Sequence, residues 1–195
     1  KPSIEQRYKI KTHINNMNKI ANNIDIEYHE GIISKFYAPK NTHDIQKDER
    51  CFYTRENALI IDTMRKYIDD IVESDLQLYC LVPLLIKASI HTNTSGVFKG
   101  FYKDGEKGAF GGKGKNALSR IMKRINVDMP IWNEMEYKSF CHNRNTNELI
   151  CNLPDNIDLI YLDPSYNQHP YGSNYFMLNL IIENKLPENT SISKI

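Results

Sequence analysis

The sequence has almost no net charge. Its 25 Lys and Arg against 24 Asp and Glu leave +1 over 195 residues, so no whole-chain field forces a nucleic-acid partner, and any such argument must rest on where charge is placed. It also lacks an apolar run near the roughly 18 residues that a membrane span needs. No membrane partner is therefore expected, and the expected location is cytoplasmic. There is no C-x-x-C pair and no secretory segment. Cys51, Cys80, Cys141 and Cys151 are widely spaced, which predicts reduced thiols rather than a disulfide framework. Cys141, His142 and Cys151 lack the second half of a ligand set, so no metal is expected. Glycine is scarce outside a single stretch, and the opening Lys1 and polar end at Ile195 predict a fragment. The length suits one domain with a core, or a core with a small appended module.

The residues that are present divide by pattern. Ile10, Ile14, Met17 and Ile20 predict an amphipathic helix within 3–23. Residues 24–53, with Gly31, Pro39 and Asn41, read as irregular with a short strand around Tyr37. From Thr54, a suitable N-cap, Ile61, Met64, Ile68 and Ile71 define a second helix. Arg65, Lys66, Asp69 and Asp70 are expected on its solvent face. Residues 75–91 are apolar on nearly all sides and predict a buried helix kinked at Pro83.

Between Gly96 and Arg124 the composition changes. Seven of the nine glycines fall here, with eight Lys or Arg (99, 103, 107, 113, 115, 120, 123, 124) against Asp104 and Glu106, a local balance of +6. Phe98, Phe101, Tyr102 and Phe110 are interleaved with these cations, as in a flexible loop that grips a phosphate backbone and stacks on bases. A solvated basic loop packed by its own aromatics is the competing reading. After about 136 the pattern predicts an α/β unit: a strand at 137–141, a short helix at 147–152, a buried strand at 158–162 and a helix at 173–183.

At the carboxyl end of that last strand stands Asp163-Pro164-Ser165-Tyr166, followed by Asn167-Gln168-His169-Pro170-Tyr171-Gly172-Ser173-Asn174-Tyr175. Open α/β sheets place ligands at such a position. Here the sequence resembles the S-adenosylmethionine-dependent amino-methyltransferases with an Asp-Pro-Pro-Tyr type motif, in particular the D12-class DNA N6-adenine enzymes. The stretch 158–182 carries the resemblance most strongly and 96–124 more faintly. Ser165 departs from the usual Pro and implies a less rigid loop.

The chemistry agrees with the resemblance. An exocyclic amine conjugated to a purine is a weak nucleophile until acceptors draw on its protons, and Asp163 with the Pro164 carbonyl can supply them. Tyr166 offers a face for an adenine swung out of the duplex, worth roughly 1–3 kcal/mol per stacked base.

The resemblance implies an α/β fold: a partial Rossmann-like methyltransferase core (131–195) with a helical, basic insertion for DNA recognition (24–130) and an N-terminal helix (1–23). It implies S-adenosylmethionine as cofactor, with Asn145 and Asp163 toward it. It also implies Asp163, Pro164, Ser165 and Tyr166 as catalytic residues, and Lys99, Lys113, Lys115, Asn167 and Tyr171 against double-stranded DNA. A cognate restriction endonuclease is the implied partner.

The family's glycine-rich cofactor turn has only a literal match, Phe110-Gly111-Gly112-Lys113-Gly114, and the polar residues before it cannot form the buried strand that such a turn follows. Asn145 reads equally as a helix cap. RNA adenine, cytosine N4 or a protein glutamine as acceptor, and a non-catalytic DNA-binding fragment, stay open as alternatives.

Overall fold

The computed structural model describes residues 1–23, 27–134, 137–154, 156–163 and 171–186, the side chain of Tyr171 excepted. Its body is built on four longer helices: α1 (Ile4–Asn22), α3 (Arg55–Ile71), α4 (Gln77–Ile90) and α7 (Tyr171–Glu183). Shorter helices are α2 (Ile32–Phe36), α5 (Leu118–Met122) and α6 (Thr146–Ile150). A two-residue antiparallel pair, β1 (Lys103–Asp104) and β2 (Lys107–Gly108), forms the only sheet among the described residues.

Local chemistry starts the helices where the sequence predicts. Ser3 and Gln6 form a reciprocal capping box on α1, each side chain bonded to the other's backbone amide at 3.1 and 2.8 Å, which satisfies two otherwise orphaned donors. Thr54 Oγ1 accepts the Asn57 amide at the start of α3. Ile10, Ile14, Met17 and Ala21 of α1 then meet Ile60, Ile61, Met64 and Ile68 of α3 and Cys80, Leu84 and Ala88 of α4 in one apolar core. Each fully buried large side chain contributes on the order of 1.5–3 kcal/mol relative to exposure. α4 runs through Pro83 without ending.

Polar residues of α3 gather the rest of the chain. Asp62 is buried, and its carboxylate accepts the amides of Gly31, Ile33 and Ser34 at 2.8–3.0 Å. It thereby caps α2, the short helix found where a strand near Tyr37 was expected. A Cβ at Gly31 would stand 2.7 Å from Asp62 Cγ, so only glycine permits this approach. Asn57 donates to the carbonyl of Lys123 and accepts the Ile125 amide, both at 3.0 Å.

Arg65, expected on the solvent face, is buried instead. Its Nε and Nη2 donate to the carbonyls of Ile181 and Ile182 at 2.7 and 3.0 Å, and Nη1 pairs with Asp69 at 2.6 Å. α7 covers this flank of α3, and the guanidinium meets the carbonyl-rich end of that helix, where cations are favoured.

Other departures have physical causes. Ile71 is exposed because α3 ends there, outside the packed stripe. α4 leaves Leu78, Val82, Ile86 and Ile90, at steps of four, open on one side, so it is not buried all round. No strand forms at 137–141 or 158–162. Residues 158–162 are irregular, with Leu159 84% and Tyr161 81% exposed. A central parallel strand gains its stability from hydrogen-bonded neighbours on both edges, and no such neighbour exists among the described residues. The short helix at 147–152 and the helix at 173–183 are present as α6 and α7.

The segment after α5 returns to α1. Asn18 clamps Val127 through both backbone groups at 2.8 and 2.9 Å, Trp132 packs edge-on to Tyr79, and Glu134 pairs with Arg7 and Lys1. Those cations, Arg7 first, hold the Glu134 carboxyl down to about 2. Glu73, bonded to its own amide and then to His13 and Lys9, also lies at about 2. Folded values below the ordinary 4.5 give stability that is fully present above about pH 4.5 and lost as pH falls toward 2. Urea midpoints measured from pH 6 to pH 2.5 should fall across that window, and a Glu73→Gln/Glu134→Gln variant should show a shallower fall.

Candidate functional site

The glycine-rich region folds as a hairpin and a series of tight turns set on the end of α4. Ala109 N donates to Tyr102 O at 3.0 Å, closing a hairpin whose tip residues 103–107 are all exposed. Gly105, Gly111 and Gly112 have positive φ. At Gly111 a Cβ would lie 2.7 Å from the Lys115 backbone, so glycine is required there. Lys99, Lys113 and Lys115, expected to meet DNA, are exposed, as are Lys103, Lys107 and Lys123.

The other two cations of this region are used internally. Arg120 donates to the carbonyls of Ile90, the last residue of α4, and of Thr92 and Thr94 just after it, and Arg124 Nη2 donates to Tyr28 Oη at 2.7 Å. His91 Nδ1 bonds the Arg120 carbonyl at 2.7 Å, and burial keeps the pKa of its ring below the ordinary histidine value.

The aromatics of the region face inward. Phe98 is buried, and Phe101 sits edge-on to Phe52 with ring centres 5.1 Å apart. Phe52 also meets Tyr37 and Phe176 of α7, each at 5.9 Å. These rings anchor the loop to the body, and the lysines project from it. Packing by its own aromatics, the competing reading of the sequence, describes Phe98 and Phe101 better than stacking on bases.

Of the expected catalytic residues, Asp163 is described and exposed. Pro164, Ser165 and Tyr166, with Asn167, lie outside the described residues, and so does the Tyr171 side chain. Tyr171 begins α7, five positions after Tyr166 in the sequence. α7 is fixed at three places along its length: the Phe98 amide bonds the Asn174 carbonyl at 2.9 Å near its start, Phe176 enters the aromatic cluster, and Arg65 grips its end. Asn145 caps α6, its Oδ1 accepting the Asn147 amide at 3.1 Å, and it also donates to Glu148. The structure therefore brings the basic loop and α7 together, and it leaves Asn145 on an exposed helix start.

A family model for the D12 class of N6 adenine-specific DNA methyltransferases matches residues 10–193. The chain belongs to that family. Among curated relatives it is 30% identical over 165 residues to the type II methyltransferase M.CviAII of Paramecium bursaria Chlorella virus 1, covering 80% of this chain and 41% of that protein. It is 31% identical over 151 residues to modification methylase LlaI of Lactococcus lactis subsp. lactis, covering 72% and 22%. With M.NlaIII of Neisseria lactamica it shares 28% over 138 residues, 68% and 37% of the two chains. The D12 chain thus spans from about a fifth to two fifths of the length of these relatives. No solved structure matches it. No helix among the described residues is long and apolar enough to cross a membrane.

Membership supports the methyltransferase fold and S-adenosylmethionine chemistry at family level. The glycine turn at 110–114 does not fit this cofactor's role. In the literal Phe-x-Gly-x-Gly match, the Gly111 amide is taken by Asn93 Oδ1 at 2.9 Å and the Gly112 amide by Ala109 O at 3.1 Å. Amides already satisfied internally cannot cradle a ligand.

Sequence reading missed Arg65 as the residue that seats α7. A guanidinium beside buried Met64 was the available signal. Arg65→Met should cost about 3 kcal/mol of stability, because it strands two helix-end carbonyls and Asp69, and Arg65→Lys should recover part of it. Urea titration of both variants checks this.

Proposed function

We propose that this chain supplies the base-activating segment and a DNA-gripping loop of a site-specific DNA adenine-N6 methyltransferase of a restriction–modification system. The observation that carries the reading is the family match across 10–193, which includes Asp163-Pro164-Ser165-Tyr166. On this reading 24–130 is the recognition part, 131–195 contributes to a Rossmann-like core, and 1–23 is a supporting helix.

The adenine leaves the duplex and its N6 amine meets Asp163 and the Pro164 carbonyl as hydrogen-bond acceptors. Both draw on the amine's protons and push electron density back onto nitrogen, so its lone pair localises and becomes nucleophilic, and the proton released on methylation passes to the Asp163 carboxylate or to water. Tyr166 stacks on the flipped ring and fixes its plane. Asn167 and Tyr171 border the opening left in the duplex, while Lys99, Lys113 and Lys115 hold the phosphates. S-adenosylmethionine provides the methyl group in this family; Asn145 and Asp163 are the residues proposed to lie toward it. The cognate endonuclease would cut the same sequence when it is unmodified.

A second reading is favoured by one observation: the amides of Gly111 and Gly112, in the glycine turn that matches the cofactor motif literally, are bonded internally. The chain alone is then a DNA-binding portion without transfer. Labelled-methyl transfer to duplex DNA, followed by digestion and identification of the base, separates the two, and label in RNA instead would change the acceptor.

Two outcomes follow from the first reading. Asp163→Ala should abolish transfer of the labelled methyl group while leaving DNA affinity within about twofold, since the carboxylate acts on the base and not on the phosphates; undiminished transfer would sink the assignment. Replacing Lys113 and Lys115 by Ala should lower the slope of log affinity against log salt by about 2, one per lost phosphate contact, read by fluorescence anisotropy of a labelled duplex.

A further inference from the structure

Asn93, just beyond α4, has no exposed surface, and it bonds to every part that seats the basic hairpin. Its Nδ2 donates to the carbonyls of Cys51 at 2.7 Å and Ala109 at 3.1 Å. Its Oδ1 accepts the Gly111 amide at 2.9 Å. Its own amide donates to Phe52 O at 2.7 Å, and its carbonyl accepts the Tyr102 amide at 3.1 Å. A single residue thus ties the first hairpin arm at Tyr102 and the second at Ala109 and Gly111 to the 51–52 segment of the helical body.

The side chain is chemically specific for this task. An amide offers two donors and an acceptor, and here both donors and the acceptor are engaged. A carboxylate at the same position would face two carbonyls that it cannot bond. The fit is close on the neighbouring side too, because a Cβ at Gly108 would stand 2.6 Å from Cys51 Cβ. Burial, opposed by the Asn93 contact, pushes the Cys51 thiol up to about 12, so no thiolate competes for the Asn93 amide.

The lysines carried by these arms, Lys103, Lys107, Lys113 and Lys115, are exposed, and none of them bonds Asn93 itself. We infer that Asn93 is a positioning residue for DNA binding: it fixes the lysine array before DNA arrives, so that little ordering remains to be done on association. The inference rests on the reading that this loop contacts DNA. It separates number of contacts from readiness of contacts. The salt slope reports how many phosphates are neutralised, whereas the cost of ordering a loop shifts affinity alike at every salt concentration.

The test uses the 195-residue chain and a fluorescent duplex, titrated at a series of salt concentrations with wild type, Asn93→Asp and the Lys113/Lys115 double variant. The expected result for Asn93→Asp is affinity about tenfold lower at every salt, on a line parallel to wild type, and the lysine variant should show the reduced slope. Superposition of the Asn93→Asp line on wild type overturns the proposal. A lysine variant with the wild-type slope overturns the DNA-contact reading beneath it, a failure distinguished by which line moves. Should Asn93→Asp not fold, amide hydrogen exchange in the unaltered chain decides. Tyr102 and Gly111 amides should exchange far more slowly than Gly105 at the tip, and equal rates would remove the anchor.

Discussion

The structure depends on polar groups buried along one helix. Asp62, Arg65 and Asn57 lie on or beside the apolar stripe of α3, and each binds distant backbone: three amides of the α2 start, two carbonyls at the α7 end, and both kinds of group in the 121–125 segment. Apolar burial supplies most of the driving force but little direction. A carboxylate that needs amides and a guanidinium that needs carbonyls decide which end of which helix is accepted. α3 thereby holds the end of α7, a helix that packs mainly on α4, and the motif proposed to act on the base precedes α7 in the sequence.

The same principle extends to the loop. Asn93 acts on backbone at three separated points, and Arg120 gathers three carbonyls at and just after the end of α4. The region richest in glycine is therefore among the more heavily bonded parts of the molecule. Glycine there serves left-handed turns and close approach, at Gly111 above all, and it does not by itself imply a loose segment.

Helices were legible because their signals are local. The spacing of Ile10, Ile14 and Met17, and Thr54 ahead of Ile61, Met64 and Ile68, states both a face and a starting point. The family was legible in Asp163-Pro164-Ser165-Tyr166 and its surroundings, and the family model matches across them. What was not legible depends on distant partners. Nothing in Thr92-Asn93-Thr94 announces that the middle residue will bond Cys51, Ala109 and Gly111. Arg65 reads as a surface cation until α7 covers it. The segment 158–162 has strand composition, but composition cannot provide the neighbouring strands that turn such a run into a sheet. Phe98 and Phe101 looked available for bases because sequence shows their company of lysines, and not the core that buries Phe98 or the Phe52 ring against Phe101.

The exposed run Leu159-Ile160-Tyr161-Leu162 bears on the behaviour of the chain in concentrated solution. It combines β-forming side chains with an absence of charge and proline across four consecutive positions. Such a segment has unpaired backbone groups able to template a like segment of another molecule. Asp158 and Asp163 bracket the run, and charges at such flanking positions oppose pairing between copies. The carboxylate proposed to activate a base would then also help to keep the chain dispersed.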